Sequence, residues 1–335
     1  MAKGWKITIS IISIVLILIL VTLLVYYFFP WHKKFFNNAD EEFSIPGLDE
    51  KFVPQGMTEL EGYNKYLVSG YMSDGEPSRY YLIDAETNNI EKYVILNING
   101  KKYNGHAGGV ASYGSTIWTT SEEDGKGYAF RFLANDLISA DNGSEVVIRD
   151  YFETYNNADF VFVNNDTLWV GEFYRKDKFE TDQDHHLETR SGEANTGLIY
   201  GFDIDESKKC AVSNTFPSKV ISVRAQCQGV AVTDDGNFIL STSYSISDSV
   251  IYYYEDILSE EAHGTYRLGL DNIPLWYIDN DALIKSTKIP SMSEEILVKN
   301  DRVYILFESA CKKYKLFNRT RISSVYSVPV SYFDK

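Results

Sequence analysis

Cysteine is scarce in this chain: three in 335 residues. A disulfide-scaffolded fold is therefore excluded. Cys210 and Cys227 could still pair in an oxidising compartment, leaving Cys311 odd, or all three could be independent thiols. Proline is scarce too, at 8 residues, and histidine at 5. Excess positive charge is missing: net charge is −15. Only Lys3, Lys6, Lys33 and Lys34 are charged before residue 35, so the remainder holds all 47 acidic residues and 28 of the 32 basic ones. Such a surface repels phosphate backbones and excludes nucleic acid as a partner. Gly-x-Ser-x-Gly, P-loop, Rossmann and His-Glu-x-x-His signatures are all absent.

A second long apolar run is also lacking. The one present, residues 7–29, is uncharged and rich in Ile, Leu and Val. At ~1.5 Å per residue it spans roughly 34 Å, enough for the ~30 Å core of a bilayer. Tyr26, Tyr27 and Trp31 suit an interfacial aromatic belt. A cleaved signal peptide has a shorter apolar region and a small-residue cleavage site, and Tyr-Tyr-Phe-Phe-Pro30 is not one. The expected organisation is a short cytoplasmic tail and signal anchor (1–34), a linker (35–41), and an extracytoplasmic domain (42–335). The expected location is the cell membrane, single-pass.

What is abundant is aromatic and β-branched sequence, with 25 Tyr and 19 Phe, broken by Gly, Asn and Asp. That composition favours strands. Five segments share one pattern: a polar residue, often Gly or Ala next, an apolar run, a tight turn, and a second strand with an aromatic. They begin at Gln55, His106, Asp159, Gln228 and Glu295, spaced by 51, 53, 69 and 67 residues. Their second strands are Tyr66-Leu-Val-Ser-Gly-Tyr71, Thr116-Ile-Trp-Thr-Thr-Ser121, Leu168-Trp-Val-Gly-Glu-Phe173, Phe238-Ile-Leu-Ser-Thr-Ser243 and Val303-Tyr-Ile-Leu-Phe-Glu308. The turns between carry Gly62-Tyr-Asn64, Gly114, Asn164-Asn-Asp166, Asp234-Asp-Gly236 and Asn300-Asp301, all hairpin chemistries. A two-sheet sandwich would not repeat in this way. The pattern predicts an all-β, five-bladed β-propeller preceded by one N-terminal transmembrane helix. Residues 42–46 are expected to supply the outer strand of the fifth blade and close the ring. Insertions at 175–196 and 255–293 are the first candidates for site walls.

In such a ring the starts of the inner strands and the ends of the second strands meet at one mouth. The expected ligand-binding set is Gln55, His106, Asp159, Glu172, Gln228, Glu295 and Glu308. Ser69, Thr120 or Ser121, and Thr242 or Ser243 complete the second ring. Several carboxylates together demand a cation or raised pKa values. Oxygen donors with one His suit Ca²⁺ at Asp159, Glu295 and His106, or else the groups bond one another and close the channel. Adjacent His185 and His186, with Asp182 and Asp184, suggest a transition-metal site. Side chains of neighbouring strand residues point apart, however, which favours a solvated loop. Two functions remain. One is a membrane-anchored module binding a small molecule, glycan, peptide or partner protein at the mouth. The other is a hydrolase, lyase or cyclotransferase using Glu172, Glu295 or Asp159 as acid or base with His106.

Val53-Pro-Gln-Gly-Met57, Val68-Ser-Gly-Tyr-Met72, Ser78-Arg79, Gly105-His-Ala-Gly-Gly109, Trp169-Val-Gly-Glu-Phe-Tyr174, Met292-Ser-Glu-Glu295 and Phe307-Glu-Ser-Ala-Cys-Lys-Lys-Tyr314 together resemble a family of secreted or membrane-anchored bacterial propellers. The resemblance covers roughly residues 43–332. It implies a propeller and export, and no activity. Pro54-Gln-Gly-Met57 with Ser69-Gly-Tyr71 is more distantly similar to the five-bladed glutaminyl cyclases of plants and bacteria. There a catalytic Glu precedes the Ser/Thr-Gly. Leu67-Val68 stands in that stretch here, so the key acid/base is missing.

Overall fold

The computed structural model describes residues 2–333, with side chains from Thr8 onward apart from Ile9. The side chains of Lys3 and Lys6, which flank the apolar run, and the last two residues of the expected domain lie outside this description. A helix, Ala2–Phe28, contains the apolar run up to its last residue and is long and apolar enough to cross a membrane. It stops before Pro30, which disfavours helical backbone in the residue preceding it.

Five four-stranded antiparallel units follow, as the repeat predicts. Blade 1 is Phe52–Leu60, Lys65–Met72, Arg79–Asp84 and Ile90–Ile98. Blade 2 is Gly109–Tyr113, Thr116–Glu123, Lys126–Leu133 and Asp150–Glu153. Blade 3 is Phe160–Asn164, Thr167–Gly171, Gly197–Asp203 and Lys219–Val223. Blade 4 is Cys227–Val232, Phe238–Thr242, Ser249–Tyr254 and Leu283–Ile289. Blade 5 is Ser293–Lys299, Arg302–Phe307 and Ser324–Pro329, completed on its outer edge by Asp40–Ser44. Asp40 pairs with Ser327 and Ser44 with Ser324, so the closing strand starts two residues before the expected 42–46. Each inner strand contacts the next, and that of blade 5 returns to that of blade 1.

The inner hairpins turn where the sequence places them. Asn64, Asn165, Asn300 and Asp301 adopt positive φ, as do Gly62, Gly114 and Gly236. Left-handed backbone is what the tight hairpin turns require. Apolar side chains fill the wedges between blades. Leu67, Leu82, Ile117 and Phe132, for example, pack in one cluster between blades 1 and 2. Each such burial contributes ~1.5–3 kcal/mol.

Segment 33–41 is ordered against the ring. Lys33–Phe36 is a helical turn, and Phe35 sits 6.2 Å from Phe307, ring to ring, in the core. Segment 255–293 gives the mouth Met292 but builds most of its length elsewhere. Its hairpin, Gly264–Leu268 and Asp271–Tyr277, joins the outer edge of blade 3 by parallel pairing of Val220–Ser222 with Leu275–Tyr277. An unpaired outer strand gave it an edge to cover. Cys210, Cys227 and Cys311 are separate, buried, free thiols, so the suggested Cys210–Cys227 disulfide is absent.

Candidate functional site

Three inner strands carry a bulge at the repeat position: between Pro54 and Gly56, Cys227 and Gly229, and Ser293 and Ile296. A bulge inserts an extra residue and re-aims its side chain. In blades 2 and 3 the polar residue lies in the lead-in, beside Ala107 and Ala158 at φ 53° and 55°. Gln226 and Met292 are also left-handed, at φ 64° each. Non-glycine residues in that region cost energy and concentrate at functional sites. Glycine matters here for space. A Cβ on Gly56 would fall 2.4 Å from Ser69 Oγ and 2.8 Å from Val110 N. One on Gly229 would fall 2.8 Å from Glu295 Cα. The small residue of the repeat therefore lets the inner strands crowd together at the axis.

These devices surround a cavity of about 530 Å³. Gln55, His106, Asp159, Gln228 and Glu308 of the expected set all line it. So does Glu294, which the sequence reading passed over for its neighbour. Gln55 Nε2 donates to Glu308 Oε2 at 3.3 Å, and Gln228 Nε2 to Glu294 Oε1 at 3.5 Å. Glu294 and Glu308 are hydrogen-bonded to each other. Two buried carboxyl groups so joined resist ionising together. Burial raises both pKa values; the neighbouring carboxylate adds to the rise at Glu294, and Lys313 partly opposes it at Glu308. Asp159 Oδ2 accepts from Phe173 N at 2.6 Å. Its pKa is pushed up to about 7, by burial first, against that hydrogen bond and with the help of Glu172 and Glu122. The His106 ring is exposed to the cavity and stacks on Tyr71 at 4.9 Å. Burial, then the charge of Lys313, lowers its pKa to about 4, so it is neutral at pH 7.

The wall is aromatic: Tyr71, Phe173, Phe179, Tyr244, Tyr314 and Phe317. Tyr71, Phe173 and Tyr244 each lie at or just past the end of the second strand of a repeat, a recurrence that could have revealed them in the sequence. Lys178, from the 175–196 insertion, also lines the cavity, and the exposed Lys313 stands beside the wall, its Nζ donating to Tyr71 Oη at 2.7 Å.

Glu295 and Glu172 lie elsewhere. Glu295 Oε2 accepts from Met57 N and Val110 N, each at 3.1 Å, and its carboxylate also from Val161 N. It thus ties blade 5 to blades 1, 2 and 3 and faces a second cavity, about 660 Å³, at the other end of the channel. Glu172 is buried behind the wall, accepting from Leu198 N at 2.9 Å and paired with His185 Nδ1 at 2.7 Å. Burial works against charge on His185, but Glu172, Asp184 and Asp182 outweigh it and its pKa is raised. Among the described residues, one group of three offers metal-ligand atoms within 4.8 Å of one another: Asp182, Asp184 and His185. Asp159, His106 and Glu295, the residues expected for Ca²⁺, form no such group, because the third points below the mouth.

No family model and no curated protein sequence matches the chain. Among solved structures it is similar to the PQQ-bound aldose sugar dehydrogenase of Streptomyces coelicolor, at 11% identity and TM-score 0.49, covering 87% of this chain and 96% of that one. It is also similar to BamB of Moraxella catarrhalis, at 11% identity and TM-score 0.34, covering 82% of each. These likenesses concern the propeller and bear on no activity. The glutaminyl cyclase likeness finds no support among them.

Proposed function

We propose that this chain is a single-pass, membrane-anchored propeller whose extracytoplasmic mouth binds a ligand through an ammonium group. The observation that carries this is the Gln55–Glu308–Glu294–Gln228 network facing an aromatic-walled cavity. Its carboxyl groups hold protons because burial outweighs the charge of Lys313, the cation beside them. A ligand ammonium would displace the proton, and tyrosine and phenylalanine faces attract such cations. Retention of the anchor is supported by the hydrogen bonds that Tyr26 and Tyr27 make to the propeller, which cleavage after the helix would sever.

The test is a thermal-shift panel on the detergent-solubilised full chain, with ethanolamine, choline, neutral sugars and Ca²⁺. A ligand of the native state raises the midpoint by mass action. The amines are expected to raise it in the wild type and not in Glu294→Gln/Glu308→Gln. A shift with sugars or Ca²⁺ alone would overturn the reading.

A second reading, an acid–base enzyme, is favoured by one observation: Asp159 titrates near neutrality in the same cavity as a neutral His106. Turnover of a bound amine ester, followed by mass spectrometry and abolished by Asp159→Asn, would establish it.

A further inference from the structure

The mouth and the anchor meet. Tyr26 Oη donates to Phe317 O at 2.7 Å, and Tyr27 Oη to Leu316 O at 2.6 Å. Arg319 lies over the Trp31 ring at 4.4 Å and Arg321 over the Tyr27 ring at 4.8 Å. Arg319 also pairs with Asp248 beside His32. Segment 308–323, which leaves the second strand of blade 5, is therefore fixed at the level where the helix ends in aromatic residues. For a helix that spans a membrane, that level would be the bilayer interface.

The segment has the composition of a membrane-contacting loop. Residues 309–323 hold Lys312, Lys313, Lys315, Arg319 and Arg321 and no acidic residue, in a chain of net charge −15. Leu316 and Phe317 expose 67% and 66% of their surface at its tip, and Ile246 exposes 46%. Large side chains left this open are those an interface covers. Phe317 and Ile246 also line the cavity. The apolar surface that would meet the bilayer is thus continuous with the wall of the mouth.

Charge is layered along this path. Lys178 and Lys313 are exposed, on and beside the wall, whereas Glu294 is buried and Glu308 and Asp159 half-buried in the same lining. From exposed to buried the site offers an apolar lip, then cations among aromatics, then carboxyl groups. An amphiphile with acyl chains, a phosphate and a terminal ammonium presents the same sequence. Lysine binds phosphate as a point charge, and the anionic membrane surface draws basic segments towards it. We infer that the mouth opens onto the bilayer and takes the head group of a zwitterionic, amine-bearing phospholipid directly from the membrane. This rests on the ammonium reading and adds the source and the phosphate.

The experiment uses the full chain in nanodiscs of phosphatidylethanolamine and phosphatidylglycerol. Either lipid is doped in turn with a photoreactive diazirine analogue labelled in the head group, and the adducts are mapped by peptide mass spectrometry. The amine lipid is expected to label peptides carrying Tyr71, Tyr244 or Tyr314. Labelling should fall about tenfold in Lys178→Glu/Lys313→Glu and in Glu294→Gln/Glu308→Gln. Unlabelled phosphatidylethanolamine should compete, and water-soluble glycerophosphoethanolamine should compete far less. Labelling confined to residues 7–29, while ethanolamine still raises the thermal midpoint, would overturn the membrane source and leave the ammonium reading standing. Absence of both effects would overturn both. Equal labelling by the phosphatidylglycerol probe would overturn selection of the amine.

Discussion

Glu295 and Glu294 are neighbours with opposite duties. The bulge between Ser293 and Ile296 sends Glu294 to the mouth and Glu295 into the axis. Glu295 satisfies N–H groups of three other inner strands, which would otherwise be buried without partners. Glu295→Ala should therefore cost about 2–4 kcal/mol in denaturant melts, whereas Glu294→Gln, which keeps size and can still hydrogen-bond, should cost little. The mouth also sets a pH dependence. Asp159, Glu294 and Glu308 have folded pKa values above their unfolded ones, so the native state binds more protons and stability falls as pH rises through that interval. For Asp159 the window runs from 3.8 to about 7. His106 acts oppositely, losing stability as pH falls from 6.5 to about 4. Three carboxyl groups against one imidazole predict a melting temperature that declines from pH 5 to pH 8. Glu294→Gln/Glu308→Gln should flatten that decline, and a profile unchanged by the substitution would remove these groups as its cause.

At the scale of elements, closure depends on a strand from far away in sequence. Asp40–Ser44 covers the outer edge of blade 5, with Arg302 bridging to Asp40 at 2.6 Å and Ser324 Oγ donating to Glu41 at 2.6 Å. Phe43 is buried and stacks on Tyr66 of blade 1 at 4.9 Å, so the strand also links two blades. Phe43→Ala should cost ~3–5 kcal/mol and make the chain more sensitive to proteolysis around residue 40. Unchanged stability would mean that the strand is dispensable to the ring. Strands and turns were legible because alternating apolar runs and Asn-Asp or Asp-Gly pairs state their conformation locally. The bulges and the left-handed Ala107, Ala158, Gln226 and Met292 were not. None of those residue types announces positive φ, and ring packing imposes it. The one-residue slip from Glu294 to Glu295 follows directly, since a bulge reverses which neighbour faces the axis. Glu172 misled for a related reason: its insertion folds back and supplies His185 as a private partner.

At the scale of the molecule, the repeat spacing reveals the convergence of five distant segments, and the uncharged run reveals a helix long and apolar enough to cross a membrane. That the mouth lies beside this helix was hidden, because it depends on where 308–323 emerges from blade 5. Acidic body, basic loop and apolar helix then fit one proposed arrangement, in which the loop would seat the mouth on a membrane surface that the rest of the propeller avoids. On the proposed reading, a ligand ammonium reaching Glu294 and Glu308 would displace a proton held there. The most direct measurement is calorimetry of ethanolamine binding to the full chain at pH 7, in buffers of different ionisation enthalpy. The account predicts release of about one proton per ligand bound, abolished in Glu294→Gln/Glu308→Gln. Binding without proton release, or release undiminished in that variant, would contradict it.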